Sequence, residues 1–117
     1  ASKSTYTNVM TSYPAFDGYN NVTRISTTQD YLAQCSWWTS GGKITEADIN
    51  FNPSHSWATN PTGNQFDIQT IFTHELGHAL GLGHSSSSNA VMKPEFGPCE
   101  KLRTISSDDI SGINAIY

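Results

Sequence analysis

The segment His74-Glu75-Leu76-Gly77-His78-Ala79-Leu80-Gly81-Leu82-Gly83-His84 constrains this chain more than any other part of it. Two histidines four residues apart in a helical run put both imidazoles on one face, one turn apart, where they can take two corners of a metal tetrahedron. Glu75 sits one step round the helix from His74. It is close enough to reach a water held by such a metal but badly placed to ligate it, which suits a general base. A third ligand cannot come from the next helical turn, because that side chain would point away from the same apex. The backbone must swerve, and Gly81, three residues past His78, is where a left-handed conformation costs least; the turn it permits brings His84 back. Three neutral imidazoles and one position left for water describe a catalytic zinc, whereas a structural site is closed by a fourth protein ligand, often Cys. Neither Cys35 nor Cys99 has a suitable spacing. Five prescribed residue types at fixed offsets arise by chance in a chain of this length with a probability on the order of 10⁻⁵. The remaining histidine, His55, falls in a polar loop and is read as exposed or substrate-adjacent, not as a ligand.

The chain has 117 residues, 36% of them hydrophobic, which suits one compact domain over 1–117 and leaves no room for a second. Its net charge is -4 and its six Lys and Arg are scattered. Neither a phosphate-tracking stripe nor a polybasic membrane patch can be assembled, so nucleic acid and membrane are excluded as expected partners, and a monomer is expected. No run approaches the length of a membrane span, and the polar stretch from Ala1 lacks the zones of a signal peptide, as in a protein already processed. A surface vocabulary of Ser, Thr, Asn, Gly and Tyr with little Lys and Glu points to a secreted, extracellular protein. There Cys35 and Cys99 would most simply pair with each other; two unrelated buried thiols are the alternative. Asn21-Val22-Thr23 is a glycosylation sequon, meaningful if the source is a secreting eukaryote.

Periodicity gives a coarse element map. Tyr6, Val9, Met10 and Tyr13 have the spacing of a short amphipathic helix before Pro14. Val22–Ser26 and Tyr31–Trp38 read as strands, the second bounded by Ser40-Gly41-Gly42. From Ile44 to Asn52, Ala47, Ile49 and Phe51 alternate with Glu46, Asp48, Asn50 and Asn52, which predicts a half-buried strand. Pro53–Gln65 is turn-rich. Phe66, Ile68, Ile71, Phe72, Leu76, Ala79 and Leu80 then recur at helical intervals, predicting a helix over about 65–80 that Gly81 and Gly83 end. Residues 85–89 and 93–103 lack periodicity, and Ser106-Ser107-Asp108-Asp109 opens a second helix, about 107–117, in the manner of a capping box.

The eleven-residue stretch resembles the zinc signature of the metzincin clan, and Ser85 after the third histidine resembles its matrixin branch. The clan's second mark is a methionine-bearing turn beneath the ligands, and Asn89-Ala90-Val91-Met92-Lys93-Pro94 is placed to supply it, with Met92 as a polarizable floor. Leu102 to Tyr117 is similar to the matrixin C-terminal helix, whose first aspartates brace that turn; the resemblance gives Asp108 and Asp109 this role, N-capping alone being the other reading. The likeness is strong over 44–117 and weak over 1–43. It implies an α+β domain with a small twisted mixed sheet, in which Tyr31–Trp38 is an antiparallel edge strand able to hold an extended peptide. It also implies a zinc-dependent endopeptidase with one catalytic ion, Glu75 as base and protein or peptide substrates, the coil 94–104 choosing the side chain just after the cut. The loops of animal matrixins that hold structural zinc and calcium have no counterpart between Val22 and Asn52, so neither ion is expected. Two other classes stay open, a zinc-containing peptide-binding module with little turnover and a zinc exopeptidase.

Overall fold

The computed structural model describes residues 13–117, so the helix expected before Pro14 lies outside the described residues apart from Tyr13. The chain divides after Ser54 into two compact units. It is an α+β fold with a mixed sheet, an antiparallel edge strand and two helices.

In the first unit, β1 (Val22–Thr23), β2 (Ala33–Ser40) and β3 (Lys43–Phe51) form a sheet in the order β1-β3-β2. β1 runs parallel to β3, with Val22 opposite Ile49, and β2 runs antiparallel to it, with Cys35 opposite Ile49. The β2–β3 hairpin turns on Gly41 and Gly42, with φ of 59° and 77°. Two adjacent positive φ values are what a two-residue hairpin loop of matching twist requires, and glycine meets them without steric cost. The register shifts between Trp38 and Thr39, so Thr45 is an extra residue opposite the partner strand. Among the described residues, β2 pairs on one side only.

The central strand departs from the expected half-burial. Its apolar face is buried through Ala47 and Ile49, but Glu46, Asp48, Asn50 and Asn52 on the other face are also only 1–3% exposed. These four are polar because they serve as anchors for the chain between Ala15 and Tyr31. Glu46 accepts the N–H groups of Asp17 and Gly18 at 2.9 and 2.7 Å, and Asp48 those of Ala15 and Asn21, both at 3.0 Å. Asn50 accepts from the Ile25 N–H at 2.7 Å and donates to the Ile25 carbonyl at 2.9 Å, while Asn52 donates to the carbonyl of Tyr31 at 2.8 Å. Side chains thus supply the partners that a loop with little regular structure would otherwise lack. The sequon is closed by the same arrangement: Asn21 is 2% exposed, and its side-chain N–H group reaches Asp17 and Asp48.

In the second unit, β4 (Trp57–Ala58) pairs in parallel with β5 (Phe66–Asp67), and α1 (Ile68–Ala79) follows directly. The helix begins later than the apolar periodicity predicts, because Phe66 and Asp67 are extended against Trp57 and Ala58. Phe66 packs its ring on those of Trp57 and His55, which makes His55 half-buried and not exposed. Asp67 is the N-cap, its carboxylate accepting the Thr70 N–H at 3.2 Å. Its C-terminus has the Schellman pattern: Leu82 N–H bonds to the Gly77 carbonyl and Gly81 N–H to that of His78, both at 2.9 Å, with Gly81 at φ 104°. α2 (Ser107–Ile116) opens on a capping box between Ser106 and Asp109. Between the helices, Ala90, Val91 and Met92 form the most deeply buried apolar stretch. A Cβ built on Gly77 would lie 2.2 Å from the Met92 sulfur, so only glycine admits this contact.

No disulfide joins Cys35 to Cys99 in the structure. Cys35 is buried in β2, and Cys99 is exposed, its thiol directed at the Gly63 carbonyl at 3.2 Å. Among the described residues, no helix is long and apolar enough to cross a membrane.

Candidate metal centre

α1 buries Thr70, Ile71, His74, Glu75 and Gly77, a face with titratable as well as apolar side chains. His74 and His78 lie one turn apart on it, and the Schellman turn at Gly81 returns the chain so that His84 joins them. The three ring centroids are 4.8 to 5.4 Å apart, and one ligand atom from each residue lies within 4.8 Å of the other two.

The donor set fits zinc. Two nitrogens bound at about 2.0–2.1 Å to a tetrahedral ion lie roughly 3.3–3.4 Å apart, and the Nε2 atoms of His74 and His78 are 3.2 Å apart. Their opposite ring nitrogens are engaged: His74 Nδ1 is 2.8 Å from the Val91 carbonyl oxygen and His78 Nδ1 is 2.7 Å from that of Leu82. A carbonyl only accepts, so each Nδ1 carries the proton and each Nε2 presents a lone pair to the shared point. Burial holds both rings below the usual imidazole range, His74 at about 4, so they are neutral near pH 7 as ligands must be. His84 is the exposed member.

Glu75 is buried, with its carboxylate 3.8 Å from His74 Nε2. Burial alone pushes its pKa up to about 7; a divalent charge beside it would act in the opposite direction. Met92 lies beneath α1, and its placement depends on Asp109. That carboxylate accepts the N–H groups of Val91 at 2.8 Å and Met92 at 3.2 Å, together with the N–H and hydroxyl of Ser106 at 2.8 and 2.9 Å. Burial works to raise the Asp109 pKa, but these bonds hold it below the usual carboxylate value. Asp108 is exposed and accepts the hydroxyl of Ser85.

Sequence reasoning missed the support at the other end of α1. Asp67, 1% exposed, receives the Arg103 guanidinium in a two-pronged contact at 2.5 and 2.8 Å, and also the Thr70 hydroxyl at 2.5 Å. Arg103 further donates to the Thr59 carbonyl at 2.8 Å, and the Leu102 N–H reaches the Thr70 hydroxyl at 2.9 Å. Asp immediately before a helical run, with Thr three residues on, was a usable cap signal; its distant arginine had none. The bond from Arg103 lowers the Asp67 pKa from 3.8 to about 2. A carboxylate depressed in the folded state contributes stability that is complete above its unfolded pKa and disappears as pH falls through the folded one. We therefore expect about 2 kcal/mol to be lost between roughly pH 5 and pH 2. In Arg103→Met the carboxylate loses its partner, and urea unfolding at pH 7 is expected to show a loss of stability that shrinks at pH 3. Equal losses at both pH values would count against the pair.

Comparisons with known proteins give the family. The profile of the matrixin family matches residues 7–117. Metalloendoproteinase 1 of Glycine max is 33% identical over 81 residues, 69% of this chain and 22% of the relative. Matrilysin of Homo sapiens is 41% identical over 73 residues, 60% of this chain and 26% of the relative. This chain therefore spans about a quarter or less of the length of these curated relatives. With the family profile covering nearly the whole sequence and His74, His78 and His84 gathered in space, the chain belongs to the matrixin family.

Proposed function

We propose that this chain is a zinc-dependent endopeptidase, acting outside the cell, that cuts extended polypeptides internally, with His74, His78 and His84 holding one zinc ion and Glu75 as the general base. The observation that carries the reading is the 3.2 Å approach of the His74 and His78 Nε2 atoms beside a buried carboxylate. Two lone pairs that close, with both outer nitrogens occupied, are arranged for a shared cation. We take 1–117 as one catalytic domain, supported by a family profile that runs through both compact units.

Zinc, when bound, supplies Lewis acidity toward water and toward a substrate carbonyl. Val91 and Leu82 fix the tautomers and ring planes of His74 and His78. The Schellman turn brings in His84 without a further helical turn. The Glu75 carboxylate takes a proton from the attacking water and returns it to the leaving amine nitrogen as the peptide bond breaks. A purely binding module has no use for a carboxylate kept buried at such a position, which weighs against that alternative.

The test is cleavage of denatured casein and of peptides blocked at both ends. A chelator is expected to reduce turnover to background, and one equivalent of zinc to restore it. Cleavage that survives the chelator would sink the metal reading, and cutting of unblocked peptides alone would make the enzyme an exopeptidase.

A further inference from the structure

One face of the first unit's sheet carries a cavity that the proposed chemistry does not use. In β2, alternation places Gln34, Ser36 and Trp38 on the face shared with their β3 partners Asn50, Asp48 and Glu46. The chain from Tyr13 to Phe16 crosses this face. The Tyr13 hydroxyl lies 2.9 Å from the Gln34 carbonyl oxygen and 3.0 Å from Ser36 Oγ, and the Ala15 N–H reaches the Asp48 carboxylate at 3.0 Å. At the end nearest Gln34 and Asn50 is a cavity of about 140 Å³, walled by Tyr13, Pro14, Ile25 and Tyr31. A cavity of about 150 Å³ holds one benzene molecule, so this one takes a single six-membered ring. Four residues along the strand, roughly 13 Å away, Phe16 rests on Trp38 with ring centroids 5.5 Å apart, and Phe16 is 71% exposed. Polar groups in the cavity have bonding capacity to spare. The Tyr31 hydroxyl accepts the Asn50 side-chain N–H at 3.0 Å, which leaves its own hydrogen to donate. The side chains of Ser26, Gln29 and Gln34 also line the cavity and engage no partner among the described residues. Among the described residues no charged side chain lines it. A phosphate, carboxylate or ammonium would lose hydration there without a counter-charge, and a wholly apolar ring would strand the hydroxyls and amides. A pyranose avoids both costs: its C–H faces meet the negative faces of aromatic rings, and its hydroxyls donate and accept as Tyr31 and the two glutamine amides require.

We propose that this face of the first unit is a carbohydrate-binding site, in which the cavity between Tyr13 and Tyr31 seats one ring of a neutral oligosaccharide and Phe16, supported by Trp38, stacks on a later ring of the same chain. The ring in the cavity is held by hydrogen bonds from Tyr31 and Gln34, and the one on Phe16 by its face alone. Asp17, exposed and next to Phe16, adds a carboxylate that accepts hydroxyls and repels acidic glycans. The site shares no residue with the metal centre, so the proposal does not rest on the endopeptidase reading.

The test is titration of the full chain, zinc-free and zinc-loaded, with cellohexaose, chitohexaose and maltohexaose, followed by NMR. Heparin and a polyproline peptide serve as an anionic and a protein-like comparison. At least one of the three neutral sugars is expected to shift the Gln34 side-chain amide and the Tyr31 and Phe16 ring protons with one saturating Kd, the same with and without zinc. Gln34→Ala and Phe16→Ala alter exposed side chains, so both variants are expected to melt with the parent. Each is expected to weaken the sugar about fivefold, the scale of one lost contact. A set of three sugars that leaves Tyr31 and Gln34 unmoved overturns the proposal. So does sugar binding that neither variant weakens, since it then lies elsewhere. Shifts at these residues produced by heparin or polyproline but by none of the sugars also overturn it, and give the face to an acidic polymer or to a proline-rich segment.

Discussion

Glu75→Gln is expected to lower turnover of a blocked fluorogenic peptide by a factor of about 10³ while one zinc per chain remains bound. The substitution keeps the shape of a side chain that is 6% exposed and removes only its capacity to take up a proton at neutral pH. Zinc should be retained because the three histidines, without Glu75, supply the ligand atoms that converge. The variant should also unfold at no lower temperature than the parent, since burial opposes the charged form of Glu75 and a neutral amide escapes that penalty. Rate, metal content and melting temperature therefore separate three roles. Activity within tenfold of the parent would remove Glu75 from the chemistry, and loss of zinc would make it a ligand.

Asp109→Ala should be the most damaging single change to the second unit, with about 4 kcal/mol lost in denaturant unfolding. One carboxylate there satisfies three backbone N–H groups and a hydroxyl, and alanine leaves those donors, the buried N–H groups of Val91 and Met92 among them, without an acceptor. The effect should extend to the metal. Asp109 holds the N–H of Val91, and the carbonyl of the same residue orients His74. Zinc affinity measured by competition with a chromophoric chelator is expected to fall 10- to 100-fold, the range typical of lost support behind a ligand. Asp109→Asn, which keeps one acceptor oxygen, should lose about half as much stability. A variant that unfolds early yet binds zinc as tightly as the parent would show that the path through Val91 carries no weight.

The convergence of His74 and His78 was legible because their spacing is itself a geometric statement: positions four apart on a helix share a face whatever surrounds them. Gly81 was legible for a similar reason, since a left-handed residue at a helix end narrows the choice to glycine. The carbonyls of Val91 and Leu82 were not, because a backbone oxygen is the same in every residue and its direction depends on the whole fold. The start of α1 was misplaced because Phe66 fits both a helical stripe and a short strand, and only the pairing with Trp57 decides between them. The apolar stripe on that helix was only partly informative. Leu76 and Leu80 are 41% and 46% exposed, while Thr70, His74 and Glu75 are buried. α1 buries polar residues where hydropathy expects apolar ones. On β3 and just past its end the same rule failed through Glu46, Asp48, Asn50 and Asn52, whose alternation imitates a solvent face although every one of them is enclosed.

That enclosed polar row changes how the stretch from Ala15 to Tyr31 should tolerate alterations in length. Irregular connections usually accept insertions well, because few of their backbone groups depend on a particular neighbour. Here each rung of β3 is matched to specific chain positions, from Ala15 and Asp17 through Asn21 and Ile25 to Tyr31. One added residue between any two of them would push all later positions out of step and strand carboxylates and amides in the interior. Although mostly without helix or strand, this stretch behaves as a ruler, and its length is as constrained as the composition of a core.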